Sequence, residues 1–219
     1  MKKILAILLT ATLSFSLIAC GSSDNKNNDS NNSNNSNSND SSDSNDSSDS
    51  SNADQSDGEQ TSVKDALELL NTVWNSYGDD EKFPAAGGDM SEENMTMDAP
   101  GKFSIEDTEA LDTTLGFPSA SVEKIDDAAS LVHMMNANTF TCGVFHAKSS
   151  ADVSDLTAAL KDNISQRQWM CGFPDKLVIV TVGDYVISFF GENEIIDTFK
   201  TKLSTACPSA ETICDEPIA

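Results

Sequence analysis

From Gly21 to Gln60 the chain holds a single apolar side chain, Ala53, among Ser, Asn and Asp with a few Gly, Gln, Lys and Glu. A segment of that kind buries too little apolar surface to offset the entropy of ordering it, which predicts a disordered spacer. As a flexible coil the tract has a typical span of roughly 35 Å, longer where its carboxylates repel one another. Its repeat "SNDSSDSNDSSDS" lacks the glycine and the fixed ligand spacing of a calcium loop. The tract divides the chain into residues 1–19, residues 20–60 and one segment of ordinary composition, 61–219.

Lys2 and Lys3 precede the run Ile4 to Ile18, broken only by Thr and Ser, and small Ala19 stands before Cys20. That is the order of an export signal. An apolar stretch of about 15 residues falls short of the roughly 20 that a spanning helix needs, so residues 1–19 read as a cleaved signal peptide. Leu17-Ile18-Ala19-Cys20 resembles a bacterial lipobox, in which the cysteine is lipidated and becomes the mature N-terminus. The resemblance implies lipidation at Cys20 and attachment to the outer face of the cell membrane. Firm attachment takes two acyl chains or a second membrane signal, and an acidic tract supplies no basic signal.

Of the formal charge of −23, about −17 falls on residues 61–219. A surface so negative repels phosphate backbones and anionic headgroups, which excludes nucleic acid as a partner and stands the domain off the bilayer. About 160 residues suffice for one core, so a single globular domain is expected. Four cysteines remain there, Cys142, Cys171, Cys207 and Cys214, with three connectivities open in an oxidising compartment. A short bridge between Cys207 and Cys214 across the loop-like "CPSAETIC" is geometrically easy, whereas Cys142 sits among strand residues as a small hydrophobe. No Cys-x-x-Cys occurs, which removes the commonest redox and zinc signatures.

Apolar periodicity predicts a helix from a Ser62 capping box through Tyr77, with Val63, Ala66, Leu67, Leu70, Val73 and Trp74 at three- and four-residue steps. A long irregular stretch broken by Pro84, Gly87-Gly88, Pro100 and Gly101 follows, then a short helix capped by Ser104 and ending near Gly116. "ASLVHMMNANTFTCGVFHAKS" reads as two strands, 129–135 and 139–147, reversing at Asn136-Ala137-Asn138. That turn pairs positions summing to about 274, which sets His133 against Thr141 and Val132 against Cys142. A helix from a Ser150 cap to about Gln168 comes next, then the hairpin "KLVIVTVGDYVISFFG" turning at Gly183-Asp184, then a helix over 192–205. The ββαββα order predicts an α+β fold, with a four-stranded, largely antiparallel sheet, helices packed on one face, and one or two helices preceding it.

The chemistry of sites is sparse. The only histidines are His133 and His146, and His146 lies roughly 13 Å along the strand from Cys142, too far for both to hold one metal unaided. No cofactor fingerprint, phosphate loop or Gly-x-Ser-x-Gly occurs, and neither a catalytic nor a metal residue is assigned. In "RQWMCGFPDK", Trp169, Met170 and Phe173 form an apolar link between helix and strand that could line a ligand cleft. "HMMNANTF" raises the same question, since Met134 and Met135 point to opposite faces of a strand.

"MMNANTF", a helix, "DKLVIVTVGDYVISFFG" and a terminal helix together resemble a family of uncharacterised lipoproteins of clostridial bacteria, over roughly residues 62–206. The family shares the lipobox, the spacer and the hydrophobic pattern and carries no established catalytic residues. Some members bear the label bacteriocin transport accessory protein. Thioredoxin-like accessory proteins use a Cys-x-x-Cys pair that this chain lacks, so no redox role follows. The expectation is a lipid-anchored extracytoplasmic protein whose domain binds another envelope protein or a ligand, without chemistry of its own. The alternatives are an accessory of an export or uptake machine, and a small hydrolase using Cys142 or Cys171.

Overall fold

The computed structural model describes residues 63–89, 91–170 and 172–218. The expected signal peptide, Cys20, the expected spacer, Ser62 and Cys171 lie outside the described residues.

Helix α1 (Ala66–Trp74) begins where the Asp65 side chain accepts from the Glu68 amide and the Glu68 carboxylate accepts from the Lys64 amide. This is reciprocal capping by Asp65 and Glu68, three residues after the cap expected at Ser62. The Ala66 amide, left over at the helix start, donates to Asp127 across the domain. Short strands β1 (Ala85–Gly87), β2 (Thr96–Met97) and β3 (Gly101–Lys102) come next. Helix α2 (Thr108–Leu115) is capped by Asp107, not by Ser104, and stops at Gly116 with φ +69°. A 3-10 turn, Ser119–Lys124, leads into β4 (Ile125–His133), β5 (Phe140–Ala147), α3 (Val153–Ser165), β6 (Lys176–Val182), β7 (Tyr185–Gly191), α4 (Asn193–Ala206) and β8 (Glu211–Pro217).

The expected four-stranded sheet is an eight-stranded antiparallel one, in the order β2-β1-β4-β5-β7-β6-β8 with β3 beside β4. The ββαββα succession stands at its centre. β1 to β3 and β8 extend it from segments that carry almost no apolar alternation. Helices cover both faces, not one. α1 and α4 pack Leu69, Leu70, Val73, Phe199 and Leu203 on Phe140, Cys142, Val144, Val178, Ile187 and Phe189. α2 and α3 pack Leu111, Leu115, Leu156, Leu160 and Ile164 on Phe117, Phe145, Ile179, Val186 and Phe190. Covered on both sides, β6 and β7 are buried along nearly their whole length, which is why they read as unbroken apolar runs. Truncating a core side chain, Phe199 on α4 for example, costs about 3–5 kcal/mol through lost transfer energy and the cavity left behind.

The β6–β7 hairpin closes at Gly183-Asp184 as expected, Val182 opposite Tyr185. The β4–β5 register differs by one residue: Val132 faces Thr141 and Leu131 faces Cys142. β4 stops at His133, and His133 pairs with Ala85 on β1. Beside it, β1 and β3 approach so closely that a Cβ on Gly87 would stand 2.0 Å from the Gly101 amide nitrogen. No helix among the described residues is long and apolar enough to cross a membrane.

Candidate functional site

At one end of the sheet, β4 leaves at His133, β5 enters at Phe140, β7 leaves at Gly191 and β6 enters at Lys176. Two connections therefore meet there, residues 134–139 and 166–175. The Asn138 side-chain amide joins them, donating to the carbonyls of Met170 at 2.8 Å and Gly172 at 2.9 Å. Asn136 accepts from the Asn138 amide, and His133 Nδ1 accepts from the amides of Met135 and Asn136. The first loop is thus built by side chains that replace missing ladder partners. The His133 ring stacks on Phe83, 5.7 Å between centroids, at the rim of the α1–α4 core.

The three residues expected to line a cleft separate. Trp169 turns inward as a plug, meeting Phe190 edge to face at 5.0 Å beneath the Arg167 guanidinium. Met170 and Phe173 turn outward, 80% and 69% exposed, and Met134 and Met135 do likewise on the neighbouring loop. What they form is an exposed apolar end rather than a cleft. Exposed Asp175, Glu192 and Glu194 stand beside it. Asp175 and Glu192 are bound into it through Gly191 and Thr139. Lys176, the adjoining base, is taken up by Asp197 and Asp215. No family model matches the chain, and no curated protein or solved structure matches it either.

Arg167, the chain's only arginine, holds this loop to α2. Its Nη2 donates to the Thr113 carbonyl. Nη1 and the Trp169 Nε1 are buried without an acceptor among the described residues. Burial depresses the guanidinium pKa against the pull of Asp112.

The remaining candidates lie apart. Cys142 is fully buried and desolvation pushes its thiol far up, so it is not placed as a nucleophile. Cys171 lies outside the described residues. Cys207 and Cys214 are both free thiols, and the bridge expected between them is not formed: Cys207 belongs to the α1–α4 core and Cys214, on β8, to the α2–α3 core. The loop-like segment that made the bridge easy is in part a strand, which carries Cys214 to the other face. His146 Nδ1 lies 2.6 Å from Asp126 and its ring packs on Tyr185. Among the described residues, no three His, Cys, Asp or Glu side chains are grouped to hold a metal. A hollow lined by Asp89, Ser91, Ser104, Glu106 and Asp107 is organised internally. Asp89 there accepts from Ser91, Asn94 and Ser104.

Sequence reasoning found Met170 and Phe173 as apolar link residues and raised Met134 and Met135. It missed Asn138 as the tie between the loops. The only signal for it is the Asn-Ala-Asn triplet, which marks a turn and not a long-range contact.

Proposed function

We propose that the protein is a lipid-anchored extracytoplasmic binding module without chemistry of its own, and that Met134, Met135, Met170 and Phe173 at the sheet end are its contact surface. The exposure of these four side chains on two mutually tied loops carries the reading, because large apolar groups grouped on a solvated surface mark interaction sites. The lipobox-like Leu17-Ile18-Ala19-Cys20 supports anchoring at Cys20, and the spacer after it gives the domain a reach of roughly 35 Å.

The occupant is another envelope protein, offering an apolar segment flanked by lysine or arginine. Charge complementarity supports this choice. Asp175, Glu192 and Glu194 flank the apolar end, and seven of the domain's lysines already pair with carboxylates. The test is affinity of the full chain for a synthetic leucine- and lysine-rich amphipathic peptide and for its leucine- and glutamate-rich counterpart. The lysine peptide binds and the glutamate peptide does not. Equal affinity for both, or none for either, contradicts the reading. Mass spectrometry of the mature protein tests the anchor, which requires a diacylated N-terminal Cys20.

A further inference from the structure

The chain has seven methionines. Met1 and Met90 lie outside the described residues, and the other five, Met95, Met97, Met134, Met135 and Met170, are all exposed. Methionine ordinarily ranks among the more buried side chains, yet both cores here are filled by Leu, Ile, Val, Phe and Ala with a few Tyr, Trp and Cys. No described core position depends on a thioether. Three of the five exposed thioethers stand at the sheet end, with Met135 at 81% and Met170 at 80% exposure.

A thioether is oxidised to the sulfoxide by peroxide or hypochlorous acid, at a rate that follows its access to solvent, and the product is polar where the parent was apolar. The described thiols do not intercept the oxidant. Cys142, Cys207 and Cys214 are buried, and burial raises each thiol pKa, which keeps the reactive thiolate scarce.

We infer that Met135 and Met170 form an oxidant-responsive modification site, at which conversion to sulfoxide turns the contact surface polar and leaves the fold intact. The inference rests on the reading of the sheet end as the contact surface. In the step with hydrogen peroxide, the sulfur lone pair attacks one peroxide oxygen, an S–O bond forms and the O–O bond breaks. The departing hydroxide takes the proton from the transferred oxygen and leaves as water. Sulfur is oxidised by two electrons and the peroxide is reduced. Methionine sulfoxide reductases reverse the change.

The experiment treats the purified full chain with hydrogen peroxide. It then follows sulfoxide at each methionine by peptide mass spectrometry, the thermal midpoint by circular dichroism, and affinity for the leucine- and lysine-rich peptide. Met135 and Met170 gain oxygen at a rate close to that of free methionine, and the midpoint does not move. Affinity falls about tenfold, equal to about 1.4 kcal/mol, and sulfoxide reductase restores it. Slow oxidation at these positions, or a falling midpoint, overturns the inference. The paired substitutions Met135→Gln and Met170→Gln, made together, separate the two claims. If they abolish peptide binding while the oxidised wild type still binds, the oxidation switch fails and the contact surface stands. If they leave binding unchanged, the contact surface itself fails.

Discussion

The side-chain amide of Asn138 reaches 2.8 Å to the carbonyl of Met170, thirty-two residues on in the chain. With its second hydrogen bond, to Gly172, it fixes the loop that presents Met170 and Phe173. Replacing Asn138 with Ala removes both bonds from a half-exposed site, at about 1 kcal/mol each or less. The expected outcome is a small loss of global stability and a large rise in amide exchange and proteolysis confined to residues 168–173. Unchanged exchange there contradicts the tie.

Two serines that face Gly143 of β5 from either side, Ser130 on β4 and Ser188 on β7, should respond in opposite directions. Ser130 Oγ accepts from the Gly88 amide and donates to the Gly88 carbonyl, so Ser130→Ala strands two groups and costs about 2 kcal/mol or more. Ser188 Oγ is buried with no partner among the described residues, so Ser188→Ala is neutral or stabilises by up to about 1 kcal/mol. Urea unfolding of the two variants reads both signs.

Gly87→Ala should unfold the β1–β3 corner. The new Cβ would meet the Gly101 amide at 2.0 Å and the Ser130 carbonyl at 2.6 Å, and backbone atoms cannot move aside as a flexible side chain can. A loss of roughly 3 kcal/mol or more is expected. Gly183→Asn meets nothing within 4 Å, and Asn tolerates its φ of +57°, so it should cost about 1 kcal/mol or less.

Asp215 on β8 supplies a pH test. Burial opposes its charge, but hydrogen bonds and attraction from Lys200 and Lys176 outweigh burial and depress the carboxyl pKa below the ordinary 3.8. A depressed folded pKa contributes stability that is present above the unfolded pKa and lost as pH falls through the folded one. The stability gap between wild type and Asp215→Asn is therefore constant from pH 7 to about 5 and closes below about pH 4. At about 1 kcal/mol or less for a partly exposed pair, it should also shrink in high salt. A gap that widens on acidification contradicts the assignment.

How much of this was legible in the sequence depends on whether a residue's role is local. The β6–β7 hairpin was legible because Gly183-Asp184 sets its own turn. The two-sided covering of the sheet was also written in "LVIVTV" and "YVISFF", whose lack of polar alternation fits burial on both faces and not the single helical layer expected. The β4–β5 register was not legible. It depends on Asn136, Asn138 and Thr141 building a six-residue loop through side-chain bonds, including Thr141 Oγ1 to the Ala137 carbonyl. β8 escaped for another reason. Only Cys214 on it is buried, and the strand is held by backbone pairing to β6 and by Lys161, Lys176 and Lys200, so no apolar pattern marks it. The same limit applies at the sheet end, where adjacent Trp169 and Met170 part, one inward and one outward, at a corner that periodicity does not describe.

The most direct test of the contact surface places a photo-crosslinking amino acid at Phe173 of the full chain in living cells, and at Glu109 on α2 as a control. The account predicts a defined protein adduct from position 173 that disappears when Met135→Gln and Met170→Gln are added, and none from position 109. Adducts of equal yield from both positions, or an adduct at 173 indifferent to the two methionines, would contradict it.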